Sequence, residues 1–224
     1  MTARELVYLH GFASSPQSSK AAYLARRARE AGLMFAAPDL NAPDFASLTV
    51  SRMVDQVRRG LAEGPPRNVT LIGSSLGAMA ALFVPRDPGA AGRLDSLVLM
   101  APAVDLVAGM SAQFGPEGLE EWERTNRFEV FHYAEQRMRT LRWSFFADAR
   151  RYDAFIVEPE VPTLVFQGRH DETVDAGTVE RWASARRNVS LRLVDDDHQL
   201  HRSLDLMWDE IMRFLPAVAA SARP

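Results

Sequence analysis

Short apolar runs alternate with amphipathic stretches along most of the chain. Residues 5–10 (Glu-Leu-Val-Tyr-Leu-His) predict a short buried strand. Ser19 is placed to cap a helix running to about Glu30, in which Ala21, Leu24, Ala25 and Ala28 share one face and Gly32 falls just past the end. Residues 34–37 predict a second strand, stopped by Pro38-Asp39. Thr49 opens a helix with Val50, Met53, Val54, Val57 and Leu61 on one face, broken by Gly64-Pro65-Pro66. A third strand at 69–72 leads into a helix at 76–84, and a fourth is predicted at 97–100. A fifth at 163–166 precedes a helix at 174–186, and a sixth at 189–194 precedes a last helix at 203–215, which carries Leu204, Met207, Trp208, Ile211 and Phe214 at helical spacing.

Strands that alternate with helices predict an α/β fold: a mostly parallel sheet of about six strands with right-handed crossovers and helices on both faces. Chemistry in such sheets lies beyond the carboxyl ends of the strands, so the residues after each strand carry the functional reading. Residues 105–160 interrupt the rhythm. They hold ten of the chain's twenty aromatics, among them Phe114, Trp122, Phe128, Trp143 and Phe146. An insertion of this size and composition is a lid over an apolar pocket or a small packed subdomain. The expectation is one domain spanning 1–224, with 105–160 as a lid or cap.

The third strand is followed by Gly73-Ser74-Ser75-Leu76-Gly77, a G-x-S-x-G at a strand-to-helix junction. Ser75 has glycines two before and two after it, whereas Ser74 has Ile72 and Leu76 there, so Ser75 is the candidate nucleophile. A serine hydroxyl is a weak nucleophile at neutral pH and needs a base oriented by a carboxylate. Chain order Ser…Asp…His after the third, fifth and sixth strands is met by Ser75, Asp171 and His198. His201 is the second candidate base and Asp105, after the fourth strand, the second candidate acid. His10 reads as a buried hydrogen-bonding strut, His170 as a structural neighbour of Asp171 and His132 as a lid or surface residue. Asp195–Asp197 reads as a solvated turn.

Acyl chemistry also needs donors for the oxyanion. The backbone N–H of Leu76 is one candidate and that of Phe12, in His10-Gly11-Phe12 after the first strand, is the other. Gly11, Phe12 and Ala103 are the expected substrate-contacting positions.

Composition narrows the chemistry further. The chain has 224 residues and no cysteine, so thiolate nucleophiles, disulfides and thiolate zinc sites are excluded. The net charge of −3 offers no basic excess for nucleic acid or an anionic membrane. All the basic residues but Lys20 are arginines, which reads as codon bias. Arg137, Arg139, Arg142, Arg150 and Arg151 read as solvated helix faces rather than contacts to an anionic leaving group. Leu97–Val104 is too short to span a bilayer. Met1–Glu5 runs straight into a strand without room for a signal peptide, so a cytoplasmic protein is expected.

These residues resemble the α/β-hydrolase superfamily: His10-Gly11-Phe12 its oxyanion loop, Gly73–Gly77 its nucleophile elbow, Gly168–Asp171 its acid loop and His198 its histidine. Tyr8-Leu9-His10-Gly11-Phe12-Ala13-Ser14-Ser15-Pro16 with Ser19-Lys20, together with the elbow, is similar to the small bacterial YqiA-like esterases. The resemblance implies an α/β-hydrolase fold with an inserted helical lid. It also implies a cofactor-independent, metal-free serine hydrolase acting on a small-molecule carboxylic ester or thioester. Two alternatives keep the same residues in view: cleavage of a C–C bond or peptide by the same triad, and a non-catalytic binding protein on the same fold. Dehalogenase and epoxide hydrolase chemistry would require a carboxylate where Ser75 stands.

Overall fold

The computed structural model of the protein describes residues 4–64, 68–84 and 94–221. Its strands are β1 (Arg4–Leu9), β2 (Met34–Ala36), β3 (Asn68–Ser74), β4 (Leu94–Met100), β5 (Phe128–His132), β6 (Arg137–Leu141), β7 (Thr163–Gly168) and β8 (Val189–Val194). Six of them form one parallel sheet in the order β2-β1-β3-β4-β7-β8, and β5 and β6 form a separate antiparallel hairpin. The sheet strands are those the apolar runs predict, with ends displaced by a few residues.

Side chains along the central strands alternate between two cores. Leu71, Leu97, Leu99 and Val165 face one side. Ile72, Val98, Met100, Leu164 and Phe166 face the other. The second side is covered by α1 (Ser19–Glu30) and α7 (Leu204–Ser221), through Ala21, Leu24 and Ala28 and through Met207, Trp208 and Ile211. The first is covered by α2 (Val50–Glu63), α3 (Leu76–Phe83) and α6 (Ala176–Ser184). Every residue of α3 is buried, which places the helix that follows the elbow at the centre of the molecule.

The helix starts follow from side-chain caps. Ser18, one residue before the expected Ser19, is the cap of α1, its Oγ accepting from Ala21 N. Thr49 caps α2 as predicted, its Oγ1 accepting from Arg52 N at 3.1 Å. Gly64 follows α2, and Pro65 and Pro66 lie outside the described residues.

The insertion is helical only in part. It begins with α4 (Leu106–Thr125), which is interrupted at Gly115 (φ 63°) and Pro116. The β5–β6 hairpin follows, then α5 (Ser144–Ala149) and a 3-10 turn at Ala154–Ile156. The hairpin departs from a purely helical lid because Phe128, Val130 and His132 alternate with exposed Glu129 and Phe131, the two-residue period of a strand. The inserted aromatics mostly pack on one another. Trp122 touches Phe114, Phe128, Trp143 and Phe146, and its indole N–H donates to Leu141 O at 3.1 Å. The cluster is continuous with the core on one face of the sheet and pins the hairpin to α4.

Candidate active site

Ser75 occupies the turn between β3 and α3 with φ 52° and ψ −114°, a conformation side chains seldom adopt. Such strain costs about 1–3 kcal/mol and persists where the surroundings enforce it. Two glycines permit the turn. A Cβ on Gly73 would stand 2.6 Å from Gly77 O and Ala78 N, and one on Gly77 would stand 2.6 Å from His10 O. Ser75 N–H donates to Met100 O at 2.9 Å, and Ser75 O accepts from Ala103 N at 3.3 Å, which ties the elbow to the end of β4.

The turn aims the hydroxyl at His198, which lies beyond β8. Ser75 Oγ and His198 Nε2 are 3.1 Å apart. On the other side of the ring, Nδ1 is 2.8 Å from Asp171 Oδ2. Asp171, in the loop after β7, has a fully buried side chain. Its Oδ1 accepts from Thr173 N and Val174 N, both at 2.8 Å, and its Oδ2 also accepts from Gln167 Nε2 at 2.8 Å. Burial alone would raise the pKa of this carboxyl. The hydrogen bonds from His198, Val174 and Gln167 outweigh it and hold the group below its ordinary value. An ionised carboxylate only accepts, so the His198 proton sits on Nδ1 and Nε2 is left to accept from the Ser75 hydroxyl.

The other expected site elements surround the hydroxyl. The N–H groups of Phe12 and Leu76 have no hydrogen-bond partner among the described residues. Gly11 lies against the elbow, where a Cβ would be 3.2 Å from Ser74 O. The Phe12 ring is wedged between Phe45 and Phe145, each 5.5 Å away between centroids. His10 is buried beneath this loop: Nε2 accepts from Leu40 N at 3.0 Å, so Nδ1 donates to Gly11 O at 2.9 Å. Burial lowers its pKa and keeps the ring neutral, as a strut requires.

The remaining candidates lie elsewhere. Asp105 precedes α4 and lines the cavity before Ser75, but His198 turns its Nδ1 to Asp171. His201 Nε2 is engaged with Ser19 Oγ at 2.9 Å on the surface.

Two readings are refined and two corrected. His170, the chain neighbour of Asp171, is exposed and bonds Asp195 at 2.7 Å. His132 lies in the insertion, one of its two expected places, but is buried in the hairpin rather than at the surface, edge-on to Phe45 at 4.8 Å. Within the acidic run, Asp196 is buried and accepts from Ser203 N and Asp197 N, both at 2.9 Å, so it braces the loop that carries His198. Arg137 and Arg139 lie on strand β6, where both pair with Glu135. Two further buried residues escaped the sequence reading: Gln167, whose signal was a lone amide at the end of an apolar strand, and Lys20.

A cavity of about 660 Å³ opens at Ser75 between the carboxyl ends of the central strands and the insertion. Phe12, Leu76, Ala103, Leu106, Met110 and Phe145 contribute apolar wall. Among the described residues no cluster of His, Cys, Asp and Glu is arranged to hold a metal ion, and no helix is long and apolar enough to cross a membrane.

The model of Uncharacterised protein family (UPF0227) matches residues 5–215. No curated protein matches the chain. Among solved structures, a protein from Agrobacterium vitis S4 is 22% identical with a TM-score of 0.83, over 94% of this chain and 87% of that one. Mouse alpha/beta hydrolase domain-containing protein 10 is 19% identical with a TM-score of 0.80, over 96% and 90%. Est1E from Butyrivibrio proteoclasticus, solved with ferulic acid bound, is 16% identical with a TM-score of 0.80, over 98% and 90%. At these identities the likeness concerns the fold, which is that of the α/β hydrolases.

Proposed function

The chain belongs to Uncharacterised protein family (UPF0227), and we propose that it is a serine hydrolase cleaving carboxylic esters or thioesters through an acyl-serine intermediate. The observation that carries this reading is the continuous hydrogen-bond chain from Ser75 through His198 to Asp171, at 3.1 and 2.8 Å, beside two backbone N–H groups without a partner among the described residues.

In the first half-reaction Ser75 Oγ attacks the acyl carbonyl as its proton passes to His198 Nε2. The carbonyl oxygen becomes an oxyanion and accepts from Phe12 N–H and Leu76 N–H. Asp171 holds the ring tautomer and stabilises the imidazolium. The tetrahedral intermediate collapses, the bond to the leaving oxygen or sulfur breaks, and His198 returns the proton to it. Water then gives a proton to Nε2 and attacks the acyl-Ser75 carbonyl. Collapse of the second intermediate regenerates the Ser75 hydroxyl and frees the carboxylic acid.

The aromatic and aliphatic cavity walls support an apolar or aromatic acyl group. Est1E, which shares the fold, binds the aromatic acid ferulic acid. The test combines turnover of a p-nitrophenyl ester with the intact-mass shift produced by a fluorophosphonate. Wild type is expected to turn over and label, and Ser75→Ala to do neither while keeping its circular dichroism spectrum. Turnover by the alanine variant, or a wild type that neither turns over nor labels, removes the proposal.

A further inference from the structure

The wall of the cavity is one-sided in charge. Among the described residues its charged side chains are Asp105, Glu129 and Glu172, and no lysine or arginine lines it. Glu129 is compensated, accepting from Thr140 Oγ1 at 2.7 Å and from Arg127 at 3.1 Å. Asp105 and Glu172 differ. Among the described residues neither side chain makes a hydrogen bond or an ion pair, and the cap position of Asp105 at the start of α4 is not used by its side chain.

Both stand at strand ends beside the nucleophile. Asp105 follows β4 two residues after Ala103, whose N–H donates to Ser75 O at 3.3 Å, and Glu172 is next to Asp171. The basic residues of the hairpin, Arg137 and Arg139, are occupied by Glu135 and do not face the cavity. The same cavity is lined by the aromatic rings of Phe12, Phe114, Phe128, Phe131, Tyr133 and Phe145. Carboxylates and aromatic rings lining one cavity make a favourable environment for an organic cation and an unfavourable one for an anion.

We propose that this cavity selects its acyl donors by charge, taking esters or thioesters that carry an ammonium group and rejecting anionic ones, coenzyme A thioesters included. The inference rests on the hydrolase reading above and adds the class of substrate. Asp105 and Glu172 are the specificity-determining residues, acting on the charged part of the donor and not on the reacting carbonyl.

Three butyryl thioesters of matched size test it: that of thiocholine, which is cationic, of 3,3-dimethylbutanethiol, which is its neutral isostere, and of 2-mercaptoethanesulfonate, which is anionic. Thiol release can be followed with a disulfide reagent, because the protein has no cysteine to react. The expected order of kcat/KM is cationic, neutral, anionic, with at least about a tenfold spread at low ionic strength that contracts as salt is added. In Asp105→Asn/Glu172→Gln the ratio of cationic to anionic turnover is expected to fall several-fold, because two carboxylates are replaced by neutral isosteres. A flat or reversed order, or a spread that the double variant keeps, overturns the inference. If p-nitrophenyl butyrate is turned over and Ser75 is labelled in that case, the hydrolase reading stands without it. Absence of both would instead remove the hydrolase reading, and the inference with it.

Discussion

Gln167 Nε2 donates to Asp171 Oδ2 at 2.8 Å, the same oxygen and the same distance at which His198 Nδ1 donates. Together with the two N–H groups on Oδ1, this gives the carboxylate four donors and one orientation. Asp171→Asn puts an amide where only an acceptor serves, and the imidazole then takes the wrong tautomer. The expected loss in kcat is about 10⁴-fold with a much smaller change in KM. Gln167→Leu keeps the carboxylate and removes one donor, so stability falls by about 1.5–3 kcal/mol. The pH dependence has a definite sign. The depressed pKa of Asp171 contributes stability above the ordinary carboxylate range, and that contribution is lost as pH falls through the folded value. Urea titrations should therefore show the gap between wild type and Gln167→Leu widest at neutral pH and closing on acidification.

Gly77 and Gly60 make a paired prediction. A Cβ on Gly77 meets the backbone of Leu9, the last residue of β1, and of His10 directly after it, which the sheet holds in place. Gly77→Ala should destabilise by about 1–3 kcal/mol or more through overpacking, and should disturb the oxyanion loop as well as the elbow. A Cβ on Gly60, within α2, meets nothing within 4 Å. There the alanine gains helix propensity and Gly60→Ala should stabilise by about 0.5–1 kcal/mol. Thermal unfolding of the two variants side by side checks both signs.

The sheet was legible because parallel strands buried on both faces are written as unbroken apolar runs, such as Leu97–Met100 and Thr163–Phe166, with turn residues around them. The proximity of Ser75, Asp171 and His198 was legible because each follows a strand and the chain order restricts which strands matter. The hairpin was not, since Phe128–His132 is short, mixes Glu129 with apolar residues and leaves Phe131 exposed. Burial of Lys20, Gln167 and Asp196 could not be read either. Their residue types are mostly exposed, and only the closing of α1, β7 and the His198 loop on one another puts them inside. The direction of His170 was set by Asp195, a partner on a different loop.

Lys20, the chain's one lysine, is 7% exposed. Burial draws its pKa from 10.5 to about 8, against the attraction of Asp171, Asp197 and Asp196. Below pH 8 both folded and unfolded chains bind this proton, and the folded state carries the full cost of a buried ammonium. Between about 8 and 10.5 the folded chain has released the proton and the unfolded chain still holds it, so stability rises with pH. The swing is about 3 kcal/mol. Lys20→Met lacks it, so wild type should gain on the variant by about that amount between neutral pH and pH 10.5. A difference that stays constant across this window would falsify the placement of the charge.

Asp148 joins the insertion to the core. Its Oδ2 accepts from Ser51 N at 2.8 Å and its Oδ1 from Ser51 Oγ at 2.6 Å, while Ser51 Oγ also meets Tyr152 Oη at 2.7 Å. Ser51 lies in the first turn of α2, where N–H groups lack helical partners and a carboxylate is favoured by the helix dipole. Asp148→Ala leaves that N–H unpaired beneath the insertion and should cost about 1–3 kcal/mol. For a chain of this size that lowers Tm by about 2–4 °C per kcal/mol. Arg124→Ala serves as the contrast. Its partner Glu121 is likewise exposed, and loss of such a surface pair should stay within about 1 kcal/mol. Limited proteolysis adds a spatial readout. Asp148→Ala should be cut faster within residues 105–160 than wild type, with Arg124→Ala unchanged, because only the first substitution unfastens the insertion from α2.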